Sequence, residues 1–230
     1  MTQYDVVIAG GAMAGATLAL ALNRLSKGTL SIAVIEPFQA EHTLHPGFDS
    51  RSIALSHGTS LILENVGLWE QIQPFTTPIE HINVSDKGHA GLADITKQAL
   101  SLNALGYVVE LADVGRVYQS LLDRADNIDF LCPDSVSNVS RESNVVTVTL
   151  SSGASIEAKL LVAADGALSP SAQNIGLPLQ EHDFEQVALI ANVSLSQPHL
   201  GRAFERFTES GPLALPPPLL TTHDTAQQKR

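Results

Sequence analysis

The sequence predicts an α/β fold built outward from one βαβ unit, and three observations predict it. Residues 4–9 carry three consecutive branched residues, Val6, Val7 and Ile8, the pattern of a strand buried on both faces. Glycines at 10, 11 and 15 follow at once, and residues 13–25 then run in Ala, Leu and Thr at helical spacing towards a stop at Gly28. Residues 31–36 form a second apolar run. Strand, glycines, helix and strand within about 30 residues make a right-handed crossover unit.

The remaining elements follow in order. Residues 37–52 read as a loop holding His42, His45, Pro46, Gly47 and Asp49. Residues 59–66 and 68–72 read as helices, ended by Pro74 and Pro78. Residues 80–86 set Ile82 and Val84 against polar neighbours, as in an amphipathic strand. Residues 113–125 read as a helix with Asp113 as its N-cap and Leu121 and Leu122 inward. Residues 136–139 and 145–150 alternate apolar with Ser, Asn and Thr, and Ser152-Gly153 turns them into a meander. Residues 159–164 form another buried strand, ending in Asp165-Gly166, and residues 186–195 and 203–208 are further strands. Four of the 12 prolines fall in residues 212–218, and no helix or central strand continues through Pro216-Pro217-Pro218. Residues 216–230 are expected to be a disordered tail.

Composition narrows the function. Of 230 residues, 44% are hydrophobic and 16% charged, which is an ordinary globular composition. Aromatics are 5%, so Ala, Val, Ile and Leu must fill the core. The net charge of −11 repels phosphate backbones and anionic lipid, which argues against nucleic acid and polybasic membrane docking. A single cysteine, Cys132, allows no intrachain disulfide and no cysteine-based metal cluster. That suits a reducing compartment, and the expected location is cytoplasmic. The most apolar early stretch, residues 9–22, is 14 residues long with three glycines, too short to span a bilayer. It has no basic residues before it, so it does not read as a signal peptide.

The sharpest motif is Gly10-Gly11-Ala12-Met13-Ala14-Gly15 between strand and helix. In the dinucleotide fingerprint the first glycine makes the turn and the second lets the backbone approach a diphosphate. The third lets helix and strand pack closely, with the phosphates on the helix N-terminus. Gly10 and Gly15 match the first and third positions, and Ala12 stands at the second. Glu36, 21 residues beyond Gly15, ends the next strand, where a carboxylate accepts from both hydroxyls of an adenosine ribose and repels a 2′-phosphate. The fingerprint serves FAD and NAD alike. His42 and His45 form an HxxH, but no third or fourth ligand at zinc-site spacing accompanies them, and no metal is expected. No GxSxG elbow is present, and Cys132 has no nearby histidine, so a nucleophilic hydrolase is unsupported. Glu181, Asp183 and Glu185 read as a solvated edge.

With these residues in view, the chain resembles the class A FAD-dependent aromatic hydroxylases, and among them those of bacterial ubiquinone biosynthesis. The resemblance runs from Tyr4 to about Leu215. It rests on the glycine loop and on HPGFDSRSIAL (45–55), VSDKGHAGL (84–92), VVELADVG (108–115), LVAADG (161–166) and IANV…GRAFERFTESGPLAL (190–215). It implies a Rossmann-like FAD-binding domain of the glutathione-reductase type over 1–74 and 105–178. A partial β-sheet substrate domain would be woven in over 75–104 and 179–215. It also implies FAD, NAD(P)H as electron donor, oxygen, and a prenylated phenol as substrate, with other ubiquinone-biosynthesis enzymes as partners. By the family's motifs, Gly10, Gly15 and Glu36 hold the ADP half of FAD. Arg51 sits near the flavin and its phosphates, and Asp165-Gly166 contacts the ribityl and phosphate region. Ala172 stands where the family often has arginine. The family continues past this chain's end, so the expectation is an N-terminal, truncated piece of a hydroxylase, inactive by itself. Two other readings stay open: an NAD-dependent reductase, and a noncatalytic nucleotide-binding or interaction fragment.

Overall fold

The computed structural model describes residues 2–39, 45–193 and 195–217. The chain runs β1 (Thr2–Ala9), α1 (Met13–Leu25), β2 (Ile32–Ile35), β3 (Ser52–Ser56), α2 (His57–Asn65), α3 (Trp69–Ile72), β4 (Thr76–Ile79), β5 (His81–Asp86) and β6 (Leu92–Thr96). It continues β7 (Gly106–Glu110), α4 (Leu111–Leu122), β8 (Ile128–Leu131), β9 (Val136–Arg141), β10 (Val146–Leu150), β11 (Ser155–Ala163), α5 (Pro170–Asn174), β12 (Arg202–Thr208) and β13 (Gly211–Leu215). These elements fall into two compact units. One holds the residues up to Asp49 with Val114–Leu189, the other Ser50–Asp113 with the residues from Ile190 on.

The first unit is an α/β layer around a six-stranded sheet of order β8-β2-β1-β11-β10-β9. β8, β2, β1 and β11 are parallel, and β11, β10 and β9 form an antiparallel meander. Val7, Ile8 and all of β2 are at most 1% exposed, as a continuous apolar run requires when both faces of a parallel sheet are covered. One face packs Val7, Ala33 and Ile35 with Val148, Leu150, Ile156 and Ala158. The other lies under α1, whose Ala16, Ala19 and Leu20 are buried. Small residues on that helix bring it close to the sheet. Gly28, at φ +73°, follows the end of α1 and donates its N–H to the Asn23 carbonyl, the left-handed stop that the sequence suggested. In α4, Val114, Tyr118 and Leu122 are buried at intervals of four. Tyr118 Oη shares a 2.8 Å hydrogen bond with Thr17 Oγ1 of α1.

The second unit carries two sheets, β3-β7-β4 and β13-β12-β5-β6. β7 pairs antiparallel with both neighbours in the first sheet. In the second, β12 pairs parallel with β5 and antiparallel with β13. All four strands of this second sheet lie within residues 75–104 and 179–215. Leu55, Leu63, Trp69, Ile72, Val108 and Val109 are buried, with the Trp69 ring edge-on to Tyr107 at 4.6 Å.

The structure corrects the sequence reading at several places. No strand forms over the described residues of 186–195, where Val187 is 87% and Leu189 95% exposed. The apolar pattern there is that of a strand, but a strand exists only when another edge takes up its N–H and C=O groups. Asp113 does not cap α4 but lies inside its first turn, and the helix ends at Leu122 rather than 125. An acid favours either place for the same dipolar reason, so the side chain alone does not fix the boundary. β3, β4, β6, β7, β8 and β13 were unread, being strands of four or five residues that pairing creates. Residues 218–230, most of the expected disordered tail, lie outside the described residues, as does His42.

Candidate functional site

Parallel pairing brings four strand ends to one edge of the first unit's sheet. The registers Ile35↔Leu131, Ala9↔Ile35 and Ala9↔Ala163 set the residues just beyond them side by side: Cys132, Glu36, Gly10 and Ala164-Asp165. In open α/β sheets this carboxyl edge is where ligands bind. Of the candidate residues, Gly10 through Gly15, Glu36, Asp165 and Gly166 gather here. Arg51 belongs to the second unit, where it precedes β3 and its carbonyl accepts the Leu111 N–H.

Each glycine of the loop has a steric reason. Gly10 sits at φ +97°, and a Cβ on it would lie 2.7 Å from the Ala164 carbonyl carbon and 2.9 Å from Asp165 Cα. The glycine loop and the Asp165-Gly166 loop are thus in backbone contact. A Cβ on Gly15 would run into the Gly10 carbonyl and Ile8, so α1 reaches the sheet only because that position is bare. On Gly11 it would meet Phe130 at 2.9 Å and Glu36 at 3.0 Å. α1 opens from Ala12 with no side-chain cap and no acid in its first turn, and its first N–H groups have no intrahelical partner. Such a terminus suits a diphosphate. Met13 and Ala14 supply backbone to that first turn, half-buried and exposed respectively.

Ala12 has a partner that the sequence did not reveal. A Cβ on Gly47 would stand 2.5 Å from the Ala12 methyl, so the loop after His45 presses on the glycine loop where a fingerprint glycine would leave a gap. Gly47→Ala is therefore expected to destabilise the protein by about 1–3 kcal/mol, and Ala12→Gly to recover much of that loss in the double variant. Additive losses in urea unfolding would show that the two positions do not touch.

Glu36 is buried, at 3% exposure, rather than solvated. Its Oε2 accepts the Gly11 N–H at 2.7 Å, and its Oε1 accepts the Phe38 N–H at 2.9 Å. His45 Nε2 stands 3.2 Å from Oε1. The carboxylate thus ties the glycine loop to the chain leaving β2, and it meets a ligand with part of its accepting capacity already used. His45, read from sequence as half of an HxxH and as the start of the HPGFDSRSIAL run but given no role there, is the residue that sequence reasoning missed. Its ring also packs 5.2 Å from Phe48, which in turn fills the space above Gly115 of α4. The Cys132 thiol donates to the Phe38 carbonyl at 3.2 Å. Burial, then the charge of Glu36, push its pKa up, which makes it a poor nucleophile.

Asp165 is fixed by α5. Its Oδ1 accepts from Ser169 Oγ at 2.5 Å and its Oδ2 from the Ser171 N–H at 2.8 Å. Burial acts to raise its pKa, but these hydrogen bonds outweigh it and hold the carboxyl below the usual carboxylate range. A depressed folded pKa contributes stability that is fully present above the unfolded value of about 3.9 and is lost as pH falls through the folded one. Asp165→Asn is therefore expected to flatten part of the loss of stability below about pH 4. Thermal melts from pH 2 to 6 check this, and an unchanged acid limb would refute it. Gly166, at φ +92°, has nothing within 4 Å of a built Cβ and faces open space.

The chain is similar to known proteins. The chain is 32% identical over 213 residues to the ubiquinone hydroxylase UbiL of Rhodospirillum rubrum, covering 93% of this chain and 49% of the relative. It is 28% identical over 233 residues to the mitochondrial ubiquinone biosynthesis monooxygenase COQ6 of Homo sapiens, covering 94% and 49%. The 3-demethoxyubiquinol 3-hydroxylase of Escherichia coli is 26% identical over 214 residues, covering 93% and 54%. The chain spans about half the length of these curated relatives. Among solved structures, a PqsL mutant from P. aeruginosa matches with TM-score 0.76 at 16% identity, over 95% of this chain and 59% of that one. The p-nitrophenol 4-monooxygenase PnpA from Pseudomonas putida DLL-E4 matches with TM-score 0.64 at 23% identity, over 76% and 44%. These two likenesses establish the fold. A glycine cradle, an uncapped helix terminus and a buried acid at the next strand end fit a flavin dinucleotide, and the FAD binding domain profile matches residues 3–217: the chain belongs to the FAD-binding domain family.

Proposed function

We propose that this chain is the FAD-binding part of a monooxygenase that hydroxylates a prenylated phenol in ubiquinone biosynthesis, with NAD(P)H as electron donor and O2 as co-substrate. The observation that carries the reading is the single sheet edge where Gly10–Gly15, Glu36 and Asp165-Gly166 converge. The names of the three relatives support the substrate class. In this reading the backbone of Gly11, Ala12, Met13 and Ala14 takes the diphosphate, and Glu36 takes the adenosine ribose. Gly10 and Gly15 keep the approach open. Asp165-Gly166 serves the ribityl and phosphate region. FAD, when bound, supplies the two-electron chemistry that lets NAD(P)H and O2 hydroxylate an electron-rich ring. The protein's share is to hold the dinucleotide and keep water from it. The first unit is the body of the FAD-binding domain, and the β13-β12-β5-β6 sheet is part of the substrate domain.

No helix among the described residues is long and apolar enough to cross a membrane. A cytoplasmic location, in company with other enzymes of the same biosynthesis, belongs to the proposal. Two measurements test it: titration of the purified chain with FAD and with NAD, and mass spectrometry of a prenylphenol incubated with NAD(P)H, air and the whole monooxygenase of which this chain is the FAD-binding part. FAD bound by the chain in preference to NAD, with a product one oxygen atom heavier from the whole enzyme and none from the chain alone, is the expected result. Preference for NAD would turn the site into that of a nicotinamide reductase. FAD binding by the chain without any oxygenated product from the whole enzyme would overturn the monooxygenase assignment and leave the cofactor assignment standing.

A further inference from the structure

Two hydrogen bonds define the role of His45. The Gly47 N–H donates to its Nδ1 at 3.0 Å, so in the neutral ring the proton sits on Nε2. That nitrogen faces Glu36 Oε1 at 3.2 Å, and both side chains are 4% exposed. A carboxylate oxygen accepts about two hydrogen bonds. Among the described residues Oε1 already has two donors, Phe38 N–H and His45 Nε2–H, whereas Oε2 has one, the Gly11 N–H.

We propose that His45 is a positioning residue for nucleotide recognition: it saturates Oε1 of Glu36, fixes the carboxylate's rotation, and leaves Oε2 as the one oxygen that takes a ribose hydroxyl. The inference deepens the FAD reading and rests on it. It replaces the expectation that Glu36 takes both hydroxyls. Recognition becomes asymmetric, with one of the two ribose hydroxyls held by Glu36 and the other not.

The test uses the full chain, calorimetric titration with ADP, 2′-deoxy-ADP and 3′-deoxy-ADP, and two substitutions. His45→Gln places an amide N–H near the Nε2 position and keeps the contact with Glu36. His45→Asn places an acceptor near the Nδ1 position and keeps only the turn to Gly47. Removing the donor loosens one charge-assisted hydrogen bond, so His45→Asn should weaken ADP about tenfold. His45→Gln should stay within about twofold of the parent protein. One deoxy-ADP should bind about tenfold more weakly than ADP and the other about as well, and in His45→Asn that difference should narrow as Oε1 becomes free. Thermal midpoints of both variants verify that they fold.

Rescue by Asn instead of Gln would make His45 a turn residue only and overturn the proposal, as would equal losses for the two deoxy ligands in the parent protein. A parent chain that folds but binds neither ADP nor FAD overturns the FAD reading itself, and this inference with it. Unchanged ADP affinity in His45→Asn overturns the inference alone.

Discussion

Glu36→Ala is expected to lower the unfolding free energy by about 3–5 kcal/mol. The carboxylate is 3% exposed and faces three donors: Gly11 N–H, Phe38 N–H and His45 Nε2. An orphaned buried donor costs about 1–3 kcal/mol, and the three share one space that a water molecule can partly serve, so the losses do not sum fully. Against a total stability of about 5–15 kcal/mol the loss is large. In the proposed reading FAD affinity should fall about 100-fold or more, because the ribose would lose its acceptor and the glycine loop its tie to the strand end. Glu36→Gln keeps one oxygen but turns an amide towards donors, and should lie between. Urea unfolding with parallel FAD titration measures both quantities. A stability loss under about 1 kcal/mol would mean that the three donors do not depend on this carboxylate.

Gly10→Ala is expected to be as damaging for a different reason, and Gly166→Ala separates the causes. Both glycines have left-handed backbones, φ +97° and +92°. A non-glycine residue held there costs about 1–3 kcal/mol. Gly10 adds a collision, since its Cβ would lie 2.7 Å from the Ala164 carbonyl carbon and 2.9 Å from Asp165 Cα, and neither backbone can rotate away. At Gly166 nothing stands within 4 Å. Gly166→Ala should therefore cost about 1–2 kcal/mol, and Gly10→Ala about 3–5 kcal/mol, with FAD binding abolished. Equal losses at the two positions would show that conformation alone governs both. It would also show that the close approach of the two loops carries no weight.

The first 36 residues were the most legible part of the chain. The α1 boundaries, Met13 and Leu25, match the sequence reading, and the strands on either side agree to within two residues. Their determinants are local: a branched apolar run, glycines where no side chain fits, and helical spacing between them. The candidate nucleotide residues were nameable for the same reason, because the fingerprint places its glycines and its acid at fixed distances along one crossover unit. Asp165-Gly166 came only with the family resemblance. Nothing local distinguishes it from other turns.

Short strands were least legible. β8 reads Ile-Asp-Phe-Leu, with too little pattern to stand out, yet it forms because β2 offers a parallel edge in register. Residues 186–195 show the converse, a strand-like sequence without a ladder among the described residues. The contacts that shape the site were also beyond reach: Gly47 on Ala12, His45 on Glu36, Gly11 over Phe130, and Ser169 on Asp165. By itself the sequence determined the crossover unit, the glycine loop and the acid that faces it, since steric fit and periodicity act within a few turns of chain. Only the tertiary structure decided how many of that acid's lone pairs remain for a ligand. Hydrogen-bond saturation depends on donors such as Gly11 N–H and His45 Nε2, which folding alone brings to the carboxylate.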